Sequence, residues 1–316
     1  MDDSLSFESF FEGAKKAAHR AMEDHGREEY DEFALHAGVA VERLAKAVLV
    51  MRNPLYLVEM RNGNADLLLY FGGDLDLDTS KVRTVGAGEA LRRLRRMGIL
   101  PPDPQLDLLI ELRNGTAHTT IGDQAKTLIP TFSETIMVLL TAVATTSRVF
   151  WGRWARTVIV AVDKQLDEIH RDVEIRIDQA RHLFEDRFGG LPEHLRQRLA
   201  AKQSALGDFG LRFAETGIEI EISEVCPACK SAARVLAVNQ GTKETPHLTA
   251  IALRCTMCYL KLATRDELEA AGVDVQHADE LAAFQVSTFF DGEVPSEWLF
   301  HMKVKQFLDS DPDDPN

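Results

Sequence analysis

The sequence predicts a mainly α protein in three parts: a helical bundle over residues 1–150, a long helical stalk over 151–206, and a small α+β domain over 207–316. Three observations lead there. Apolar residues recur at three- and four-residue spacing through most of the first two hundred positions, which marks helices with one buried face. A period-two alternation, GIEIEISEV, first appears at 217–225 and marks a strand. All four cysteines, Cys226, Cys229, Cys255 and Cys258, fall in the same C-terminal stretch as two C-x-x-C pairs.

Composition bounds the classes. The chain has 316 residues, 45% hydrophobic and 27% charged. These values are ordinary for a globular protein and exclude a wholly disordered, collagen-like or disulfide-scaffold chain. A formal charge of −14, from 36 Lys+Arg and 50 Asp+Glu, excludes a simple polyanion binder, because phosphate affinity comes mostly from Lys and Arg. The acidity is uneven. Residues 206–316 hold 9 Lys+Arg against 19 Asp+Glu, a net of −10, whereas residues 1–205 hold 27 against 31, a net of −4. The start, MDDSLSFESFFEGAKK, has no basic n-region and no apolar h-region. The longest nearly uncharged stretch, Ile136 to Thr146, is short of the roughly 20 residues a bilayer requires. The expectation is a soluble, cytoplasmic protein with no membrane contact.

Taken in order, Phe7 to Glu23 reads as a helix. Asp31 to Val50 is the clearest one, with Phe33, Ala34, Ala37, Ala40, Val41, Leu44, Val48 and Leu49 on one broad apolar face. Residues 53–73 read as a connector, punctuated by Asn53-Pro54 and Asn62-Gly63. GEALRRLRRMG is a short basic helix, with Leu91 and Leu94 inward and Arg92, Arg93, Arg95 and Arg96 outward. Pro101, Pro102 and Pro104 interrupt it, and Asp107 to Arg113 is helical again. Asn114-Gly115 signals a stop or bend, and a further helix follows Pro130 through Phe150. From Trp154 to Phe184 one long helix is predicted, because Val158, Val162, Leu166, Ile169, Val173, Ile177, Ala180 and Phe184 form a heptad-like stripe. After the first strand, ARVLAVNQG, HLTAIALRC and YLKLATR read as strands. Helix returns at Asp266–Ala271 and near Trp298–Leu308, before a disordered acidic tail.

The cysteine spacing points to zinc. In a reducing compartment two C-x-x-C pairs favour metal over disulfides. Each pair offers two thiolates to one edge of a tetrahedron, so Cys226, Cys229, Cys255 and Cys258 complete a closed, structural Zn2+ site. Redox disulfides and buried free thiols are the alternatives. The pattern resembles a zinc ribbon with a somewhat long hairpin between the pairs. Glu219, Glu221 and Glu224 beside the first pair favour a structural role or a protein partner over nucleic-acid grip. His247 reads as an exposed histidine rather than a ligand.

The second motif is Arg113-Asn114, three residues, then His118. Spacing alone is weak, since Arg20/His25, Arg176/His182 and Arg187/His194 show similar pairs. Context sharpens it. On a continuous helix the two side chains would stand about 140° apart, and a bend at Asn114-Gly115 frees them to meet. Arg113 as a helix-terminal cation and His118 as a turn histidine is the competing structural reading.

The arrangement resembles the HEPN family of helical-bundle proteins, through this Arg-Asn-x3-His motif and the earlier helix HAGVAVERLAKAVLV. The resemblance covers roughly residues 5–150. It implies metal-independent RNA cleavage in a cleft shared by two protomers, with the RNA 2′-OH as nucleophile. His118 would be the general acid or base. Arg113 would stabilise transition-state charge, and Asn114 would position the phosphate or His118. No catalytic cofactor is implied, and toxin or antiviral defence is the implied setting. Thr119 and Thr120 stand where some family members carry a tyrosine, so regulation through that tyrosine is not transferred.

Further features read two ways. Glu42 and Lys46 make a helical ion pair or support Arg113 from behind. His36 reads as a core-edge histidine. Arg92, Arg93, Arg95 and Arg96 are either a solvated face or the RNA backbone contact. The 154–184 stripe is intrachain core or a homodimer seam. The competing function is a non-catalytic HEPN-like module that recruits a protein or nucleic-acid partner through the zinc ribbon. A third is a zinc-dependent regulator that senses nucleic acid without cutting it.

Overall fold

The computed structural model describes residues 3–59, 65–78, 82–115, 124–163, 166–192, 194–195, 198–199, 209–214, 217–239 and 247–289. His118, the 298–308 helix and the acidic tail lie outside the described residues. The protein is mainly helical, with one small antiparallel sheet in its C-terminal part. It divides into two compact units, Met1–Asp163 and Lys164–Asn316.

In the N-terminal unit the helices are α1 (Phe7–Gly26), α2 (Tyr30–Arg52), α3 (Ala65–Gly72), α4 (Ala87–Arg96), α5 (Pro104–Arg113), α6 (Ile129–Ala142), α7 (Ser147–Trp151) and α8 (Ala155–Val162). Helix α2 is central and packs on α1, α4, α5 and α6. All eight residues of its predicted apolar face are buried. Small residues on α1, Ala14, Ala18 and Ala21, are buried where it lies along α2. Phe33, Phe132 and Trp151 form a chain of edge-on ring contacts that ties α2, α6 and α7 together.

Several segments differ from the sequence reading. The 53–73 connector holds a 3-10 turn, Pro54–Leu57, and helix α3. Its propensity for turns was legible, but the apolar run ADLLLYFG coils rather than loops. Helix α5 starts at Pro104, because Asp103 accepts hydrogen bonds from the backbone of Gln105 and Leu106 and proline fits a first helical turn. The helix after Pro130 breaks near Ala144, which takes a positive φ of 52°.

The long stalk helix is also corrected. Residues 154–184 run as α8 and, in the other unit, α9 (Glu168–Phe188). The backbone of Asp163 turns extended at ψ 110°, and Asp167 caps a new helix by accepting from the His170 N–H. Val158 belongs to the first unit's core, while Val173, Ile177 and Ala180 belong to the second's. The stripe is therefore not one continuous helix face: four of its eight residues are buried in two separate cores, and Ile169 is exposed.

The C-terminal unit is a five-stranded antiparallel meander in sequential order: β1 (Phe209–Ala214), β2 (Gly217–Val225), β3 (Ala232–Asn239), β4 (Leu248–Arg254) and β5 (Lys261–Leu262). Helices α10 (Arg265–Ala270) and α11 (Val275–Phe289) follow. One sheet face packs with α9, α10 and α11 around Ile220, Ile222, Val235, Ala250 and Leu253. A register shift between Leu236 and Ala237 leaves Ile251 without a partner on β3. Glu221, one of the three acids beside the first cysteine pair, is buried and paired with Arg254 at 3.1 Å.

Candidate functional site

Arg113 is the last residue of α5, and Asn114 caps that helix. Gly115 follows at φ 66°, a left-handed turn that glycine adopts without strain. The predicted stop is therefore where the motif begins. The Arg113 stem lies directly on α2 at Gly38: a β-carbon there would meet Arg113 Cβ at 2.6 Å and Cγ at 2.7 Å. One turn further along α2, the Glu42 carboxylate accepts from Arg113 Nη2. Its other oxygen pairs with Lys46 Nζ at 2.7 Å. Lys46, itself buried, donates to Thr84 Oγ1 at 3.1 Å. Thr84 pairs with Val58 in a β-bridge, and Val85 N–H donates to Leu57 O, so this chain of contacts also fixes where α4 begins.

The start of α4 and the end of α5 border one cleft of about 500 Å3, lined among others by Glu59, Glu89, Arg92, Arg93, Arg113 and Asn114. Arg113 Nη1 donates to Asn114 Oδ1 at 3.2 Å. Two of the five Arg113 N–H groups serve these contacts to described residues. Of the four basic residues on α4, two reach the cleft. Arg92 pairs with Glu89 at 2.6 Å, and Arg93 bonds Glu89 and the Tyr56 carbonyl at 2.7 Å. Arg95 turns instead to Asp107 at 2.8 Å, and Arg96 is exposed. The lining is close to charge balance, so it favours a placed anion over general polyanion affinity.

Both readings of Glu42 and Lys46 are realised in one arrangement: a helical pair that also holds Arg113. His36 is half-buried and bonds Asp24 at 2.5 Å. Gly38, Glu59 and Glu89 were not singled out from the sequence. A glycine inside a strong helix pattern is the signal for Gly38, because it is costly there without a packing reason.

The four cysteines form the second site. Their sulfurs all lie within 4.8 Å of one another, and among the described residues this metal-capable group contains no other ligand type. Cys226 and Cys258 sulfurs are 3.5 Å apart, and those of Cys229 and Cys255 are 3.6 Å apart. A tetrahedron with metal–sulfur bonds of about 2.3 Å has edges of about 3.8 Å. The cysteines are free, not bridged. The residues therefore fit a four-coordinate thiolate metal.

Each pair sits in the same kind of turn. Lys230 N–H donates to Cys226 O and Cys226 N–H to Ser231 O, between β2 and β3. Tyr259 N–H donates to Cys255 O and Cys255 N–H to Leu260 O, between β4 and β5. Lys230 and Tyr259 both take left-handed φ, 63° and 61°. Hydrogen bonding within the cluster, first from Cys226, pulls the Cys229 thiol down and pushes the Cys258 thiol up. His247 is exposed and outside the sulfur group.

No helix among the described residues is long and apolar enough to cross a membrane. Comparison with protein-family models, with curated proteins and with solved structures gives no match for this chain.

Proposed function

We propose that the N-terminal unit is a HEPN-like, metal-independent endoribonuclease and that the four cysteines hold a structural zinc. The observation that carries the first reading is the cleft where Arg113 and Asn114 meet Arg92 and Arg93. The RNA 2′-OH attacks the adjacent phosphorus and the bond to the 5′ oxygen breaks, leaving a 2′,3′-cyclic phosphate and a 5′-OH. Arg113 stabilises the charge that builds on the phosphoryl oxygens. Glu42 holds its guanidinium so that little reorganisation is needed. His118 moves the proton, as imidazole titrates near neutrality. Three peptide units separate it from Gly115, a Cα reach of about 11 Å at most. A second proton-transfer group comes from a second copy, so the working form is a homodimer. Arg92 and Arg93 contact the RNA backbone, whereas Arg95 and Arg96 do not line the cleft.

The binding-module reading is favoured by one fact: Arg113 already has a carboxylate partner in Glu42, which a purely structural arginine would also have. RNA cleavage separates the two. The wild-type chain cuts RNA in excess EDTA and His118→Ala does not. Absence of any cutting by the wild type supports the inert module.

For the zinc, four thiolates and no open ligand position make the site structural. Metal content near one equivalent per chain, with zinc as the ion, is the expected result of elemental analysis.

A further inference from the structure

We propose that Arg187 is a positioning residue for the metal centre, holding the second cysteine turn in its ligating shape. The inference rests on the metal reading of the four cysteines.

The two C-x-x-C turns share their backbone hydrogen bonds and the left-handed residue after the second cysteine, as described above. They differ in what touches them. Arg187 lies in the last turn of α9. Its Nη1 donates to the carbonyls of Met257 at 2.8 Å and Thr256 at 3.2 Å. These are the two residues between Cys255 and Cys258. Its guanidinium carbon is also 4.4 Å from the ring centroid of Tyr259, within cation–π range. It lies 4.9 Å from the Phe188 ring, which steadies it from its own helix. One side chain therefore grips three of the four positions Thr256 to Tyr259, all around Cys258. Among the described residues the first turn shows no such arginine at Pro227, Ala228 or Lys230.

The grip acts where the turn is least favourable. Tyr259 carries a β-carbon in the left-handed region, which most residues avoid. The planar fork suits this task because it bonds carbonyls in its plane and stacks a ring on its face. Helix α9 is itself fixed, since Val173, Ile177 and Ala180 are buried in the unit's core. Arg187 thus transmits the position of a packed helix to one half of the ligand set. Groups that orient metal ligands from outside the coordination shell commonly govern affinity by 10- to 100-fold.

The test uses the full chain, titrated with zinc against a chromophoric chelator and, in parallel, with cobalt to read the thiolate spectrum. Arg187→Ala is expected to weaken zinc about 10- to 100-fold and to alter the cobalt–thiolate bands. Arg187→Lys keeps the charge but not the fork and falls between. Arg181→Ala, which breaks the Arg181–Asp178 pair on the same helix at 2.8 Å, keeps wild-type affinity and spectrum. If Arg187→Ala does not fold, Arg187→Lys against Arg181→Ala decides by the same comparison. Wild-type affinity in the Arg187 variants overturns the proposal, as does an equal loss in Arg181→Ala. A wild-type chain that binds neither zinc nor cobalt overturns the metal reading itself, and this proposal with it.

Discussion

At the scale of single residues, Arg113 is held by three neighbours of different kinds: a glycine beneath its stem, a carboxylate at its head and an amide beside it. The glycine and the carboxylate each make a distinct prediction. Alanine in place of an interior helical glycine ordinarily gains up to about 1 kcal/mol. At Gly38 the sign reverses, because the new β-carbon meets backbone-proximal carbons of Arg113 at 2.6 and 2.7 Å. Gly38→Ala should lose about 1–3 kcal/mol in urea unfolding, the range for overpacking. Glu42→Gln should cost about 1–3 kcal/mol by leaving Lys46 and Arg113 without their shared carboxylate. A double-mutant cycle of Glu42→Gln with Arg113→Gln should show coupling, since the two residues are in contact. The Glu42–Lys46 pair was legible in the sequence because four residues make one helical turn. The capture of Arg113 was not, because 71 positions separate it from Glu42 and only tertiary packing joins them.

At the scale of elements, the ends of helices decide where chemistry is placed. Asp103 caps α5 by accepting from Gln105 N–H at 2.9 Å and Leu106 N–H at 3.4 Å. Arg113 sits at the other end of that ten-residue helix. Asp103→Ala should cost about 1 kcal/mol in thermal or urea unfolding. Helix α9 behaves likewise. The His170 backbone N–H holds the Asp167 carboxyl below the ordinary aspartate value. A folded-state value below the unfolded one gives stability that is present above the unfolded value and lost as pH falls through the folded one. Hydrogen exchange in the first turn of α9 should therefore accelerate in that acid window, and Asp167→Asn should weaken the pH dependence. The sequence showed most helices because their apolar faces repeat. It hid the break before Asp167, since the stripe runs through it in register while its two halves serve different cores. The strands at Gly217–Val225, Ala232–Asn239 and Leu248–Arg254 were legible from alternation and β-branched residues. The burial of Glu221 was not, because its partner Arg254 lies two strands away across β3.

At the scale of the whole molecule, two compact units share one chain. The four-cysteine centre stands at two adjacent strand turns of the second unit and joins them. Its ligands must lose protons to bind metal, so affinity should fall as pH is lowered, measured by chelator competition. Cys255→Ser, or metal removal, should expose residues 164–316 to limited proteolysis while residues 1–163 persist as a resistant fragment. The charge imbalance follows the same division, with most of the −14 carried by residues 206–316. Residues 1–205 carry only −4 of it, and the cleft sets three arginines beside two glutamates rather than a broad basic face.

In the proposed reaction Arg113 and His118 cut RNA without a catalytic metal. The most direct measurement incubates wild type, Arg113→Ala and His118→Ala with RNA in excess EDTA and identifies the product ends. Cleavage by the wild type alone, leaving 2′,3′-cyclic phosphate and 5′-OH ends, is the predicted result. Equal cleavage by His118→Ala, or dependence on added divalent metal, would contradict it.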